Sequence, residues 1–208
     1  MKVNFAGMLH DRQKTEGRSQ TREMFTVAIN LLLGGIVILF FGLTYGYLFH
    51  MGQNWLEFDL PKIFWLSTVA ILAVSFLMQR LLIEYDRDNQ KNLKRLLFGS
   101  LLFAAVFVYC QISGWLMLYA SGIELGTSPS TSYLYVLTGL HVLHVLVGII
   151  FLVVSNYRVY FRTADEVKAL IFFSDPVRRT RLKLMRNYWH TIDFVWLFLF
   201  FVFLYMHA

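Results

Sequence analysis

The sequence predicts an all-α, polytopic membrane protein: a bundle of five transmembrane helices, N-terminus inside and C-terminus outside. Three observations predict it. Of 208 residues, 57% are hydrophobic and only 15% charged, where an ordinary soluble domain carries about a quarter charged residues. The apolar residues are clumped into five stretches, about 24–49, 63–83, 97–120, 133–156 and 188–207, each long enough for the ~20 helical residues that a bilayer core requires. The cations skip alternate loops: of 19 Lys and Arg, only Lys62 falls outside the N-terminal arm, the 80–96 loop and the 156–187 loop. All the others lie on one side when the N-terminus is cytoplasmic, the positive-inside pattern. A soluble globular enzyme, a disordered tail and a β-barrel with its short alternating segments are excluded. The net charge of +6 is thus a matter of topology, and no nucleic-acid partner is expected.

In chain order, residues 1–23 form a cytoplasmic arm with Lys2, Arg12, Lys14, Arg18 and Arg22 but no apolar core. A secretory signal needs such a core, so the first span is expected to serve as its own insertion signal. The membrane domain occupies 24–207. In the first span Gly35, Gly42 and Gly46 recur near helical spacing, a stripe on which another helix can pack closely. The second span follows Pro61, expected in its first turn, and contains Ser67, Thr68 and Ser75. The third carries Cys110, Gln111 and Trp115. One cysteine allows no disulfide framework and no Cys-based metal motif, and Cys110 reads as a small buried hydrophobe. A short outer loop, 122–132, precedes the fourth span with Thr138, Gly139, His141, His144 and Gly148.

The loop after Asn156 is the longest piece outside the spans. Thr163 with Glu166 three residues on reads as a capping box, opening a short interfacial helix through Phe173. Asp175 then Pro176 reads as N-cap and N1 of a second helix, which carries Arg178, Arg179, Arg181, Lys183 and Arg186 into the fifth span. This basic collar fixes topology, with an anionic-lipid site as the alternative. Tyr45, Tyr47, Trp65, Tyr119, Tyr133, Tyr157, Tyr188, Trp189 and Tyr205 cluster near span ends, as interfacial aromatic belts do.

Ionisable groups inside a bilayer are functional suspects by default. Here they are His141, His144 and Asp193, with His190 near the inner interface. His141 and His144 share a helix face. Counting 1.5 Å per residue puts His144 roughly 19 Å above the inner end of its span and Asp193 only about 8 Å into its own. A His144–Asp193 ion pair is therefore not expected. Gln111, roughly 22 Å up the third span, matches the histidines in depth and is the expected hydrogen-bond partner. A haem held by two histidines takes them from facing helices, whereas the deep histidines here share one. His10, His50 and His207 lie in the arm or at the outer edge. A di-metal bundle site needs glutamates within the spans, and a copper site needs thiolate or clustered imidazoles; both are missing. The histidines read as polar cross-links between helices. His190 with Asp193 reads as a pinned pair, or as a proton-accepting group facing a partner.

Two runs then resemble a known family. Tyr135-Val-Leu-Thr-Gly-Leu-His141-Val-Leu-His144-Val-Leu-Val-Gly148 is similar to the corresponding span of short cytochrome c oxidase subunit III proteins. Tyr188-Trp189-His190-Thr-Ile-Asp193-Phe-Val-Trp196-Leu-Phe-Leu-Phe resembles that family's last helix. Support also comes from Ser67, Thr68 and Ser75 and from Gln111 with Trp115; the similarity covers roughly 28–207. The resemblance implies an accessory subunit of a haem-copper respiratory oxidase in the bacterial inner membrane, with no catalytic, cofactor or metal residue of its own. Haem and copper would sit in partner subunits. The chain would pack on catalytic subunit I beside other oxidase subunits, bind phospholipid and support proton uptake. Gln111, His141, His144, Gly148, Tyr188, Trp189, His190, Asp193 and Trp196 would then be helix-packing or lipid-contact positions. Short family members commonly carry a glutamate in the first span, where this chain has Ile36. A subunit of a quinol oxidase or nitric oxide reductase complex is an alternative. A small transporter with a polar path past Gln111 and the histidines is another, disfavoured by spans without internal proline and by the lack of inverted repeats. A membrane cytochrome b is disfavoured by the histidine placement.

Overall fold

The structure, a computed structural model, describes residues 5–50, 59–163 and 165–206. Its elements are α1 (Phe5–Phe49), α2 (Ile63–Asp86), α3 (Gln90–Ala120), α4 (Pro129–Arg162), α5 (Glu166–Phe173) and α6 (Pro176–Met206), with no strand among the described residues. Five helices are long and apolar enough to cross a membrane: Glu23–Phe49 within α1, and the whole of α2, α3, α4 and α6. The all-helical, five-span architecture is the one the hydropathy pattern predicts.

The chain divides into two compact units, Met1–Ile36 and Val37–Ala208. The first is the larger part of α1. Its Met24, Phe25, Val27, Leu31 and Leu32 are exposed, as on a helix that meets lipid. The side chains of the arm's five cations, and those of His10 and His207, lie outside the described residues.

In the second unit α2 packs chiefly on α3, and α6 packs on α2 and α4. The turn between α2 and α3 is short because Asp88 takes a left-handed conformation (φ 53°), one that aspartate tolerates better than most residues. Asn89 then caps α3, its side-chain oxygen accepting from the Asn92 amide at 3.2 Å. Ser128 caps α4 in a reciprocal box with Thr131, at 3.2 and 3.1 Å, with Pro129 in the first turn. Both caps lengthen their helices beyond the apolar runs. Each satisfies amides that a helix start leaves unpaired.

Several local expectations are corrected. Pro61 lies before the N-cap Lys62 rather than in the first turn of α2; its carbonyl accepts from the Phe64 amide at 3.1 Å. Thr163 ends α4 instead of opening α5: its hydroxyl donates to the Val159 carbonyl at 2.7 Å. The N-cap of α5 is Asp165, which makes no side-chain cap bond. The Val159 carbonyl accepts both the Thr163 amide, at 3.2 Å, and its hydroxyl, a local side-chain bond back to the helix that pre-empts the capping box. The Asp175–Pro176 start of α6 is as expected, with Asp175 Oδ1 accepting from the Val177 amide at 2.9 Å. On α1, a Cβ at Gly42 would meet nothing within 4 Å, while one at Gly46 would lie 3.2 Å from the Tyr133 hydroxyl. The glycine stripe is thus not a uniform packing seam.

The basic end is tied together by side chains. The Tyr85 hydroxyl lies 3.0–3.3 Å from the carbonyls of Phe172, Phe173 and Asp175, where α5 ends. Arg178 covers the Phe172 ring at 4.4 Å, and Arg179 makes a two-pronged ion pair with Asp86, both contacts 2.7 Å. Part of the collar is therefore spent on protein contacts.

Candidate functional site

A buried polar layer runs through the middle of the second unit. Ser67 and Thr68 on α2 both donate to the Phe64 carbonyl at 2.8 Å, leaving their oxygens free to accept. Gln111 Nε2 on α3 donates to Ser67 Oγ (3.1 Å), and Trp196 Nε1 on α6 donates to Thr68 Oγ1 (3.0 Å). Trp115 Nε1 donates to Thr138 Oγ1 on α4 (3.0 Å), whose own hydroxyl donates back to Leu134. Four helices are thereby joined by indole, amide and hydroxyl groups. Such bonds have few competitors in lipid and contribute on the order of 1 kcal/mol each.

His141 is in this layer but outside its hydrogen bonds. It is fully buried, and neither ring nitrogen has a hydrogen-bond partner. Its ring is boxed by Trp196 at 5.3 Å, Phe107 at 5.6 Å and Phe40 at 6.1 Å between centroids. His144 turns its Nδ1 to the Leu140 carbonyl of its own helix, at 2.7 Å. The expected Gln111–histidine bond is not made; the histidine rings meet other helices through aromatic contacts, and no hydrogen bond from either ring to another helix is seen among the described residues. Gln111 matches the histidines in depth but faces α2, a matter of rotation about the helix axis that depth counting cannot fix.

Gly148 has a clear steric reason. A Cβ there would lie 2.9 Å from Trp189 and 3.1 Å from Tyr188. The Tyr188 hydroxyl donates to the His144 carbonyl at 2.8 Å. Tyr188, Trp189 and Tyr47 are thus buried at helix contacts and are not members of the interfacial belts, whereas Tyr45, Trp65, Tyr119, Tyr157 and Tyr205 are exposed. Cys110 is buried, as expected.

Nearer the basic end, His190 and Asp193 lie against α2. His190 Nδ1 is 2.6 Å from Ser75 Oγ and 4.0 Å from Asp193 Oδ2, and its Nε2 is 3.3 Å from Gln79 Oε1. Among the described residues no His144–Asp193 contact is made; the ion pair of Asp193 is with His190. Sequence reasoning missed Gln79 and the box residues Phe40 and Phe107. Ser75 was visible as a polar residue in a span, but nothing in the sequence sets the register of α2 against α6.

The family described as cytochrome c oxidase subunit III matches residues 2–208. A probable cytochrome c oxidase subunit 3 of Nocardia farcinica is 29% identical over 136 residues, 64% of this chain and 61% of that protein. A cytochrome c oxidase subunit 3 of Thermostichus vulcanus is 25% identical over 183 residues, 85% of this chain and 81% of that protein. A quinol oxidase subunit 3 of Bacillus spizizenii is 29% identical over 136 residues, 65% of this chain and 61% of that protein. The match therefore spans about three fifths of two of these relatives. With five membrane-length helices and a family match from end to end, the chain belongs to the cytochrome c oxidase subunit III family.

Proposed function

We propose that the chain is an accessory subunit of a haem-copper respiratory oxidase, packed on the catalytic subunit in a bacterial inner membrane and without a redox centre of its own. The observation that carries this reading is the family match across residues 2–208. The site geometry supports it: among the described residues the one fully buried imidazole, that of His141, is enclosed by Phe40, Phe107 and Trp196. The polar groups beside it are committed to bonds between helices. The subunit then acts through packing, bound phospholipid and surface charge, supporting proton uptake by its neighbour. The exposed Arg181 and Lys183 are free for anionic lipid, at about 1 kcal/mol each near a charged leaflet. The electron donor is fixed by companion subunits; identity is 29% both to a cytochrome c oxidase subunit and to a quinol oxidase subunit.

The orientation follows from the cation bias and is tested by labelling in a Cys110→Ala background. Ser130 is fully buried and unsuitable as an outer probe, whereas Glu124 and Ser174 are exposed. Glu124→Cys should react with an impermeant reagent from outside and Ser174→Cys should not. The reverse pattern contradicts an inside N-terminus.

The supporting role is tested by oxygen consumption over many turnovers, with and without this chain. Initial rates should be largely kept while durability falls. Because Ile36 stands where short relatives commonly have glutamate, Ile36→Glu should change neither quantity greatly. Immediate loss of all activity on removal would reveal a catalytic part in this chain. A large gain from Ile36→Glu would show that a carboxylate outweighs scaffolding.

A further inference from the structure

Four polar side chains meet where α2 packs on α6, graded in access. Gln79 is exposed, the His190 side chain is 36% exposed and that of Asp193 only 4%. Ser75 Oγ is 2.6 Å from His190 Nδ1, the same nitrogen that lies 4.0 Å from Asp193 Oδ2, while neither carboxylate oxygen closes a hydrogen bond among the described residues. The carboxylate is 4.0 Å from the imidazole, an ion-pair separation beyond hydrogen-bonding distance, so the pair that the i,i+3 spacing suggests is present but loose. A carboxylate serving only to join helices would be expected to have its oxygens occupied. Here they are buried and unpaired, 4.0 Å from an imidazole that holds the Ser75 hydroxyl on its inner nitrogen and reaches Gln79 with its outer one.

We propose that Asp193, Ser75 and His190 form a proton-exchange site opening at the basic end of the bundle. The imidazole gains a proton on Nε2, beside Gln79. Its Nδ1–H passes to Ser75 Oγ as the serine hydrogen passes to an Asp193 oxygen. The imidazole is again neutral, with its hydrogen on Nε2; serine is again a hydroxyl, and the carboxylate has become a carboxylic acid. The reverse sequence releases the proton to the same side. The surrounding charges are few. On α6, Arg186 lies one turn from His190 and acts on it. On α2, Arg80 is drawn over the Phe76 ring at 5.5 Å, and Glu84 is held by Asn92 at 3.0 Å. The contacts between α4 and this stretch of α6 include Gly148 against the Tyr188 and Trp189 rings, Phe151 against Tyr188, Ser155 with Met185, and the His144 carbonyl, none of them charged.

The test uses the full chain in lipid nanodiscs and does not depend on which complex the chain joins. Infrared spectra should show a carboxylic-acid carbonyl band that shifts on transfer to D2O and is absent in Asp193→Asn. In Ser75→Ala and His190→Phe the band should persist but exchange roughly a hundredfold more slowly, the scale set by losing a positioned proton-transfer group. Ser75→Thr, which restores the hydroxyl, should recover the native rate. Helix content by circular dichroism should be equal in all variants, which separates slow exchange from misfolding. A native protein without the band, or exchange as fast in Ser75→Ala and His190→Phe as in the native chain, would overturn the proposal.

Discussion

Gly114→Leu should prevent stable folding of the bundle. A single Cβ at this position would lie 2.6 Å from two atoms of the Phe64 ring. The ring has little room to move: Phe64 is 3% exposed and its ring lies 6.2 Å from that of Trp196. Its backbone carbonyl also receives the Ser67 and Thr68 hydroxyls, whose oxygens accept from Gln111 and Trp196, so a shift of the backbone at Phe64 disturbs both cross-helix bonds. Overpacking a well-filled core costs about 1–3 kcal/mol for small additions and more for a whole side chain. Thermal unfolding in mild detergent checks this, with Gly42→Leu as the control. A Cβ at Gly42 meets nothing within 4 Å, and its unfolding temperature should be close to native. Equal effects at the two glycines would contradict the packing described here.

Trp196→Ala should be the most damaging truncation on α6. The indole is 1% exposed, contacts the rings of Phe64, Phe107, His141 and Phe200, and donates to Thr68. Emptying such a site costs about 3–5 kcal/mol. Trp196→Phe keeps most of the volume and loses the hydrogen bond, a difference of about 1 kcal/mol. Phe201, on the same helix but 60% exposed, should tolerate alanine with little change. A Phe201→Ala loss matching that of Trp196→Ala would show that the exposed face of α6 carries the stability instead.

The five spans, the basic end and the Asp175–Pro176 helix start were legible because each depends on composition or on a local motif. The two-run resemblance pointed to the family later matched along the chain. What the sequence could not supply was rotation and register. Gln111 and His141 agree in depth, yet the amide faces Ser67 and the imidazole faces aromatic rings. Tyr188 and Trp189 sit where interfacial aromatics belong by position, and only the placement of Gly148 against them shows why they are buried. Thr163 had two competing uses, and the nearer carbonyl prevailed over the capping box.

In the proposed function this chain is a redox-silent subunit of an oxygen-reducing complex. The most direct measurement is its isolation in mild detergent under native expression, with identification of its companions and a visible spectrum before and after they are stripped away. The account predicts recovery with a haem-containing catalytic subunit, haem absorption in the assembly, and none in the separated chain. Recovery of the chain alone, or a reproducible one-to-one haem that stays with it after separation, would contradict the claim.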